Sequence, residues 1–243
     1  MSKRRELIER RREQERKQTL VILGVIIVIA VVVLGGAIII SSRNGGSAAT
    51  AAQAAVVPPD HPLPPNAEPN GRAWGPADAP IKVEEYLDYQ CPACGAYNRS
   101  FEAGVIQAFA ASGKVRYEVH SISFIGQESL DAAAAALCAT DQNKFWQMHN
   151  ALFANQNGEN EGAFNKDRLK QIAAAAGLDT AQFNTCLDSG KYAAQALQER
   201  TDSENRGVNQ TPTFFINGKM YPGTLNADDF KKIFAQVAPN VKF

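Results

Sequence analysis

Two cysteines three positions apart, Cys91 and Cys94, are the residues of this chain best placed to do chemistry. They follow a short apolar run and precede a stretch of helical periodicity, so the spacing predicts Cys91 at a helix N-terminus and Cys94 one turn further on. A helix N-terminus carries partial positive charge and unpaired N–H groups, which stabilise a thiolate and lower its pKa. Pro92 suits the first helical turn, where its missing N–H removes no hydrogen bond. The pattern indicates a redox-active dithiol in which Cys91 is the exposed, reactive member.

The same motif also occurs as half of a zinc site or as a local structural disulfide. Zinc usually takes four ligands, often from a second Cys-x-x-Cys or a pair of histidines. The remaining candidate ligands are single and scattered: Cys138, Cys186, His61, His120 and His149. A structural disulfide within the motif would brace only one turn. No nucleotide, flavin or metal motif is visible in the sequence, so we expect redox chemistry at the two thiols, with no cofactor and no metal.

Charge is unevenly distributed along the 243 residues, whose formal net charge is zero. Residues 1–17 hold eight Lys and Arg against four Glu, and the remainder holds 17 basic against 21 acidic residues. A basic head followed by an acidic body argues against nucleic-acid binding by the main part of the chain.

An uncharged, strongly apolar run of 21 residues covers positions 20–40. At about 1.5 Å per residue, a helix of this length is roughly 31 Å long, which is enough to cross a bilayer. The alternative is a cleaved secretory signal, but the apolar part of such a signal has roughly 7–15 residues. We therefore expect a single transmembrane anchor at residues 19–41, with a basic head (1–18) in the cytoplasm and the rest of the chain outside the cell membrane.

Residues 42–72 are rich first in Gly, Ala and Ser and then in Pro, without apolar periodicity, and this composition predicts a linker. His61 falls within it and is interpreted as a linker residue. The globular part is then residues 73–243, which is enough for one domain with a sizeable core.

Patterns in the globular part predict an α/β core with a helical insertion. The expected order is a strand, the Cys-x-x-Cys helix, a second strand, a helical region, a β-hairpin and a last helix. Their expected bounds are 81–87, 95–112, 115–122, about 125–207, 213–221 and a C-terminal helix capped by Asn226.

Two motifs in this order suggest a family. Cys91-Pro92-Ala93-Cys94 follows a strand, and the segment Thr-Pro-Thr-Phe-Phe-Ile-Asn-Gly at positions 211–218 lies far downstream of it. The combination resembles the DsbA-like family of exported thioredoxin-fold thiol–disulfide oxidoreductases, over about residues 73–240. The resemblance implies a thioredoxin fold with a helical insertion, here preceded by one transmembrane helix.

The resemblance also implies roles for individual residues. In this family the peptide bond before the proline that matches Pro212 is cis, and this proline lies against the active-site disulfide. The loop of Thr211 and Pro212 binds the substrate chain through its backbone, and Pro92 and Ala93 line the same surface. The best-known strong oxidants of the family carry a histidine where Ala93 stands, so Ala93 argues against extreme oxidising power.

Glu85 is an unexpected carboxylate, because it shares a strand face with three apolar side chains. In related thioredoxin-fold proteins, an acidic residue six positions before the first cysteine lies beneath the disulfide and moves protons from the buried cysteine. Burial would raise the pKa of such a carboxylate. The alternative is that Glu84 and Glu85 are both solvated at a strand edge.

Cys138 and Cys186 both fall in the helical region. Outside the cytoplasm such cysteines tend to oxidise, and the family has members with a second bridge, so we expect a structural disulfide between them. The alternative is two separate buried thiols. His120, His149 and Trp146 are interpreted as structural residues rather than site residues.

The resulting hypothesis is an extracytoplasmic, membrane-anchored enzyme that oxidises protein thiols through Cys91 and Cys94. A substrate thiolate attacks Cys91, and a second substrate thiol resolves the mixed disulfide. The expected partners are exported Cys-containing proteins and a membrane redox partner, either a quinone-linked oxidase or an electron donor. The alternatives are a membrane-tethered reductase or isomerase, and a non-catalytic peptide-binding module, against which the intact Cys-x-x-Cys argues.

Overall fold

Five strands form one mixed sheet in the computed structural model, which describes residues 55–243. They are β1 (Ala73–Trp74), β2 (Ile81–Leu87), β3 (Val115–Ser121), β4 (Thr213–Ile216) and β5 (Lys219–Pro222). The spatial order is β1-β3-β2-β4-β5, with β2 parallel to β3 and the other neighbouring pairs antiparallel. The central strand β2 is therefore paired on both sides, and its carboxyl end leads directly into the Cys-x-x-Cys motif.

The predicted basic head (1–18) and transmembrane anchor (19–41) lie outside the described residues. Within residues 55–243, no helix combines the length and the apolar character needed to cross a bilayer. The head and the anchor therefore stay predictions.

The helical segment after β2 begins at the motif and is interrupted once. It runs through α1 (Pro92–Tyr97), a π-helical turn (Asn98–Glu102) and α2 (Ala103–Phe109), and a short 3₁₀ turn leads to Gly113, whose φ of 65° ends the segment. The start at Pro92 agrees with the prediction that Pro92 lies in the first helical turn, whereas the π-turn interrupts the single helix predicted over 95–112. π-turns are rare and often occur at functional sites.

Five helices lie between β3 and β4, as the predicted insertion at 125–207 required. They are α3 (Gln127–Thr140), α4 (Phe145–Ala154), α5 (Lys166–Ala175), α6 (Thr180–Ser189) and α7 (Ala193–Asn205). The alanines of α3 are buried on almost every side, and such small side chains let neighbouring helices pack closely. A disulfide joins Cys138 of α3 to Cys186 of α6, with an S–S distance of 1.99 Å.

The hairpin and the last helix close the core. Asn217 and Gly218 both have positive φ and connect β4 to β5, as an Asn-Gly turn requires. The last helix, α8 (Ala227–Val237), begins with a capping box in which the Asn226 side chain accepts hydrogen bonds from the backbone N–H groups of the first turn. Its apolar face packs Phe230 and Phe234 into the core.

Residues 56–72 differ from the predicted linker, because they pack against the domain. The backbone of Val57 forms two hydrogen bonds with the Asn155 side chain, of 2.9 and 2.7 Å, and the Asn66 amide donates to the Ala110 carbonyl. Pro64 is buried, and Arg72 is paired with carboxylates of β3 and α7. The compact unit therefore begins at residue 56 instead of 73. A composition rich in proline signals irregular backbone, and irregular backbone is able to pack.

The bridge between α3 and α6 should contribute measurably to stability. It closes a loop of 48 residues, for which chain-entropy arguments give about 3–4 kcal/mol. We expect the double variant Cys138→Ala/Cys186→Ala to have a clearly lower urea unfolding midpoint than the parent. An unchanged midpoint, with Cys91 and Cys94 held in the same redox state in both proteins, would contradict this expectation.

Candidate active site

The two thiols of the motif differ in position. Cys91 is the N-cap of α1 with extended backbone, Pro92 is the first helical residue, and Cys94 lies one turn on. Both thiols are free in this structure. Cys91 is 9% exposed and Cys94 is completely buried, so Cys91 is the more accessible of the two but is less open than the sequence predicted.

The pKa of Cys91 is lowered to about 6. The largest cause is a hydrogen bond from the Cys94 thiol; burial opposes it, and Thr211 and the backbone N–H groups of Cys94 and Ala93 add to it. The Cys94 thiol and the backbone N–H groups of Ala93 and Cys94 belong to the first turn of α1, as expected for a cysteine at a helix N-terminus. Near neutral pH, Cys91 is therefore largely a thiolate when the pair is reduced.

The pKa of Cys94 moves in the opposite direction. Burial raises it well above the ordinary thiol value, and the hydrogen bond and negative charge of Cys91 raise it further. In the reduced pair the proton thus stays on Cys94. The accessible sulfur is therefore the more acidic of the two, and the buried sulfur keeps its proton.

The Thr-Pro loop lies beside the first thiol. The peptide bond between Thr211 and Pro212 is cis, and the Thr211 carbonyl accepts a hydrogen bond from the Cys91 thiol over 3.5 Å. Because β4 begins at the next residue and pairs with β2, the loop is held at the same end of the sheet as the motif. Pro92 and Ala93 are exposed next to Cys91, Thr211 is half-buried, and Pro212 is buried.

Glu85 is buried, with 1% exposure, and is not solvated at a strand edge. Its carboxylate accepts a 2.5 Å hydrogen bond from Tyr117, whose hydroxyl lies 3.2 Å from that of Tyr97. Burial, and next the negative charge of Glu102, hold the pKa of Glu85 well above its ordinary value, against the hydrogen bond from Tyr117. Burial therefore favours the neutral form of Glu85. Its hydrogen-bond partner is a tyrosine of β3, not a cysteine.

Glu102 is a second buried carboxylate, which the sequence analysis missed. It accepts a hydrogen bond from Asn98 of the same π-turn, and one of its oxygens lies 3.2 Å from Nε2 of His149. Nδ1 of His149 lies 3.2 Å from the Tyr89 hydroxyl. His149 is thus a core residue, as interpreted, but a polar one that connects α4 to the segment preceding Cys91.

The two remaining histidines, His120 and His61, lie away from the thiols. His120 is on the opposite sheet face from Glu85, where its ring stacks on Tyr86 and lies near Arg72. Burial, then the charges of Arg72 and Arg206, lower its pKa to about 3, so it stays neutral. His61 lies near Asp60 in the segment before β1. Within residues 55–243, no cluster of three or more His, Cys, Asp or Glu is arranged to hold a metal.

The segment between β2 and Cys91 is held by the helical insertion, which the sequence did not reveal. Asp88 is fully buried, and its carboxylate accepts hydrogen bonds from the Gln90 N–H (2.8 Å) and the Ser129 hydroxyl (2.6 Å). The Gln90 amide in turn contacts Ser129 and Asn160. The Gln156 amide donates to two backbone carbonyls of this segment. The sequence offered no signal for the contacts with the insertion, which join residues 39 to 70 positions apart.

Two thiols of opposite acidity at the end of a central strand are what thiol–disulfide exchange requires. The sheet that carries them, with its cis-proline loop, is that of the thioredoxin-fold oxidoreductases. The family model described as Thioredoxin matches residues 67–235, which is more than half of the chain. The chain belongs to this family and, within it, to the DsbA-like thiol–disulfide oxidoreductases.

Two curated relatives illustrate the similarity. The chain is 26% identical over 161 residues to Disulfide bond formation protein D of Bacillus subtilis, covering 65% of this chain and 72% of that protein. It is 30% identical over 162 residues to the Na(+)/H(+) antiporter NhaA 1 of Salinispora arenicola, covering 63% of this chain and 22% of that protein. The chain thus spans about a fifth of the antiporter's length.

Solved structures show the same fold. Oxidised Mtb DsbA is similar with a TM-score of 0.57 and 27% identity, covering 69% of this chain and 93% of that one. Oxidised BdbD from Bacillus subtilis superimposes with a TM-score of 0.63 at 22% identity, covering 76% and 98% of the two chains. The second comparison supports the fold alone.

The acidity of Cys91 predicts a specific pH profile. We expect the alkylation rate of Cys91 in the reduced protein, followed by mass spectrometry of its peptide, to reach half its maximum near pH 6. Because the unfolded thiol binds a proton up to a higher pH, the reduced protein should also gain stability as pH rises from about 6 towards 9. This gain should be lost as pH falls through about 6, and Cys91→Ser should lack it. A half-maximum near pH 9 would contradict the prediction.

Proposed function

We propose that this protein is an extracytoplasmic oxidase of protein thiols. The observation that carries the proposal is the opposite acidity of the two thiols. A low pKa at Cys91 stabilises the reduced enzyme relative to its disulfide, and a stabilised reduced form makes the disulfide a better oxidant. The buried Cys94, whose pKa is raised, is suited to be the leaving group when a substrate thiolate attacks Cys91, and to re-form the disulfide in the reverse step.

The reaction proceeds through two exchanges at Cys91. A substrate thiolate attacks Cys91 Sγ in the oxidised enzyme; the bond to Cys94 breaks, and Cys94 leaves as a thiolate that takes up a proton. A second substrate thiolate then attacks the substrate sulfur of the mixed disulfide and expels Cys91 as a stabilised thiolate. The substrate loses two electrons and becomes a disulfide, while the enzyme ends as a dithiol.

Glu85 is proposed as the proton store for Cys94. It is buried, its pKa is raised well above the ordinary value, and it lies on the strand that leads to the motif. Tyr117 and Tyr97 extend its hydrogen bond towards α1, the helix that contains Cys94. A protonated carboxyl group in this position is able to give a proton when Cys94 leaves and to take it back in the reverse step.

Substrate is proposed to lie across the exposed rim of the motif. Pro92 and Ala93 form one side of this rim, and the loop of Thr211 and Pro212 forms the other. Ala93 presents neither charge nor side-chain hydrogen bond to the Cys91 thiolate, which favours an oxidant of moderate strength. The substrates are expected to be exported proteins with cysteines.

The location and the redox partner are proposed from two features. Residues 20–40 are suited to anchor the protein in the cell membrane with its domain outside, and the Cys138–Cys186 disulfide fits an oxidising compartment. An anchored oxidase would be reoxidised by a quinone-linked oxidase in the same membrane. If the protein works in the reducing direction, the membrane partner would be an electron donor. The transport activity of the antiporter relative is not carried over to this chain.

The redox direction is tested by the reduction potential of the Cys91–Cys94 couple, measured against a glutathione series. We expect a value between that of strong periplasmic oxidants, about −120 mV, and about −200 mV. A value near that of thioredoxin, about −270 mV, would overturn the oxidase proposal in favour of a reductase.

The role of Cys94 predicts that Cys94→Ala traps substrate. Without Cys94 to resolve it, the Cys91 thiolate is expected to attack a substrate disulfide, release one substrate sulfur as a thiolate and remain in a mixed disulfide with the other. Gel electrophoresis without reductant resolves this species, and dithiothreitol removes it. The Cys91→Ala variant serves as the matched control and should trap nothing. Equal trapping by both variants would place the nucleophile elsewhere.

The role of Glu85 predicts an altered pH dependence. Glu85→Gln preserves shape and hydrogen bonding but cannot exchange a proton, so the pH profile of its thiol-exchange rate should lack the titration that Glu85 contributes in the parent. We expect a rate about 10- to 100-fold lower in the variant where the parent is fastest. A pH profile of the same shape in both proteins would rule out the proton-store role.

A further inference from the structure

Gln156 connects the helical insertion to the reactive cysteine. It lies two residues beyond α4, and its Nε2 donates to the Cys91 carbonyl over 2.8 Å and to the Tyr89 carbonyl over 2.9 Å. The Cys91 carbonyl also accepts the Gly95 N–H at 3.1 Å, and the Cys91 N–H donates to the Asp88 carbonyl at 3.0 Å. The Cys91 backbone is thus held on both sides, and one of these contacts comes from a side chain 65 positions away in sequence.

Gly95, the residue after the motif, has no side chain at the point where the Gln156 amide packs. A Cβ placed on Gly95 would lie 2.0 Å from Gln156 Oε1, a distance that no real contact reaches. Gly95 is in ordinary helical conformation, so the backbone does not require glycine at this position. Close approach of the Gln156 amide does require it, and this second feature of the sequence points to the same contact.

The direction of the Cys91 sulfur depends on the backbone that Gln156 holds. The Cys91 thiolate is stabilised by the Cys94 thiol and by N–H groups of the first turn of α1, and these contacts require Cys91 to keep its extended N-cap conformation. A carbonyl with two donors has less freedom to rotate than one with a single donor. Rotation of the peptide after Cys91 would turn the sulfur away from those N–H groups.

We propose that Gln156 is a positioning residue for thiol–disulfide exchange, which holds the Cys91 backbone so that the thiolate faces its donors. The inference deepens the proposed function, since it assigns a residue of the insertion to the reactivity of Cys91. Gln156 does not touch the sulfur and acts through the backbone alone.

The test compares Gln156→Met with a matched control in the same insertion. Methionine keeps the length and volume but has no donor. Gln142 also makes two hydrogen bonds with backbone atoms, both to Asp179 and remote from the thiols, so Gln142→Met removes a similar number of contacts. Each reduced protein is measured for the pH profile of Cys91 alkylation and for its urea unfolding midpoint.

We expect Gln156→Met to move the half-maximum of the alkylation profile up by about half to one pH unit. Alkylation at pH 6 should then be about 2- to 5-fold slower, since the rate follows the thiolate fraction. The control Gln142→Met should leave the profile unchanged while losing comparable stability. Gly95→Ala should displace the Gln156 amide and shift the profile in the same direction. Gln156→Met/Gly95→Ala should shift the profile no further than one change alone.

An unshifted profile in Gln156→Met, with a lower unfolding midpoint, would overturn the inference and leave Gln156 a structural residue. If Gln156→Met does not fold, the alkylation profile of Gly95→Ala provides the same test, and an unshifted profile would overturn the inference. The proposed function is tested separately by the reduction potential. A thioredoxin-like potential in the parent would exclude the oxidase direction, whereas a shifted alkylation profile in Gln156→Met would still establish the positioning role of Gln156. A parent profile with its half-maximum near pH 9 would overturn both.

Discussion

The placement of one proton between two sulfurs is the constraint on which this site depends. Burial keeps the proton on Cys94, and the hydrogen bond that the Cys94 thiol then donates stabilises the Cys91 thiolate. The two shifts in pKa support each other, because a protonated Cys94 is a donor and a charged Cys91 disfavours a second charge beside it. The arrangement requires Cys94 to be excluded from water and Cys91 to be accessible to solvent. The fold achieves this by placing the pair across the first turn of a helix that covers the central strand.

The same region buries three carboxyl groups, which is costly unless each is paired. Asp88 accepts hydrogen bonds from a backbone N–H and a hydroxyl, Glu102 lies against Asn98 and His149, and Glu85 accepts a bond from Tyr117. Apolar residues would fill these positions at lower cost. All three lie on segments next to α1: Glu85 on β2, Asp88 directly after β2, and Glu102 on the π-turn that follows α1. Burial raises the pKa of Glu85, and the negative charge of Glu102 raises it further, because it disfavours a second charge nearby.

Local sequence signals predicted the parts of the fold that local physics determines. Proline at the first helical position, glycine at the helix end and Asn-Gly in the hairpin each act within a few residues, and the elements lie where they indicate. The family resemblance predicted the Thr-Pro loop, which no local pattern identified. The π-turn was missed because the stretch of helical periodicity continues through it. Residues 56–72 were assigned to a linker because their packing partners, such as Asn155 and Ala110, are distant in sequence.

The helical insertion belongs to the active site, although its residues carry no recognisable motif. Ser129 bonds to the segment before Cys91, and it lies on α3, the same helix that carries Cys138 of the bridge. The bridge therefore joins α6 to the helix that supports this segment. The contacts of Gln156 and Asn160 come from the chain between α4 and α5, so two separate parts of the insertion hold the residues that lead into α1. Thiolate stabilisation depends on a few tenths of an ångström at N–H groups, and a segment held from one side only would not maintain that precision. The insertion supplies the second side.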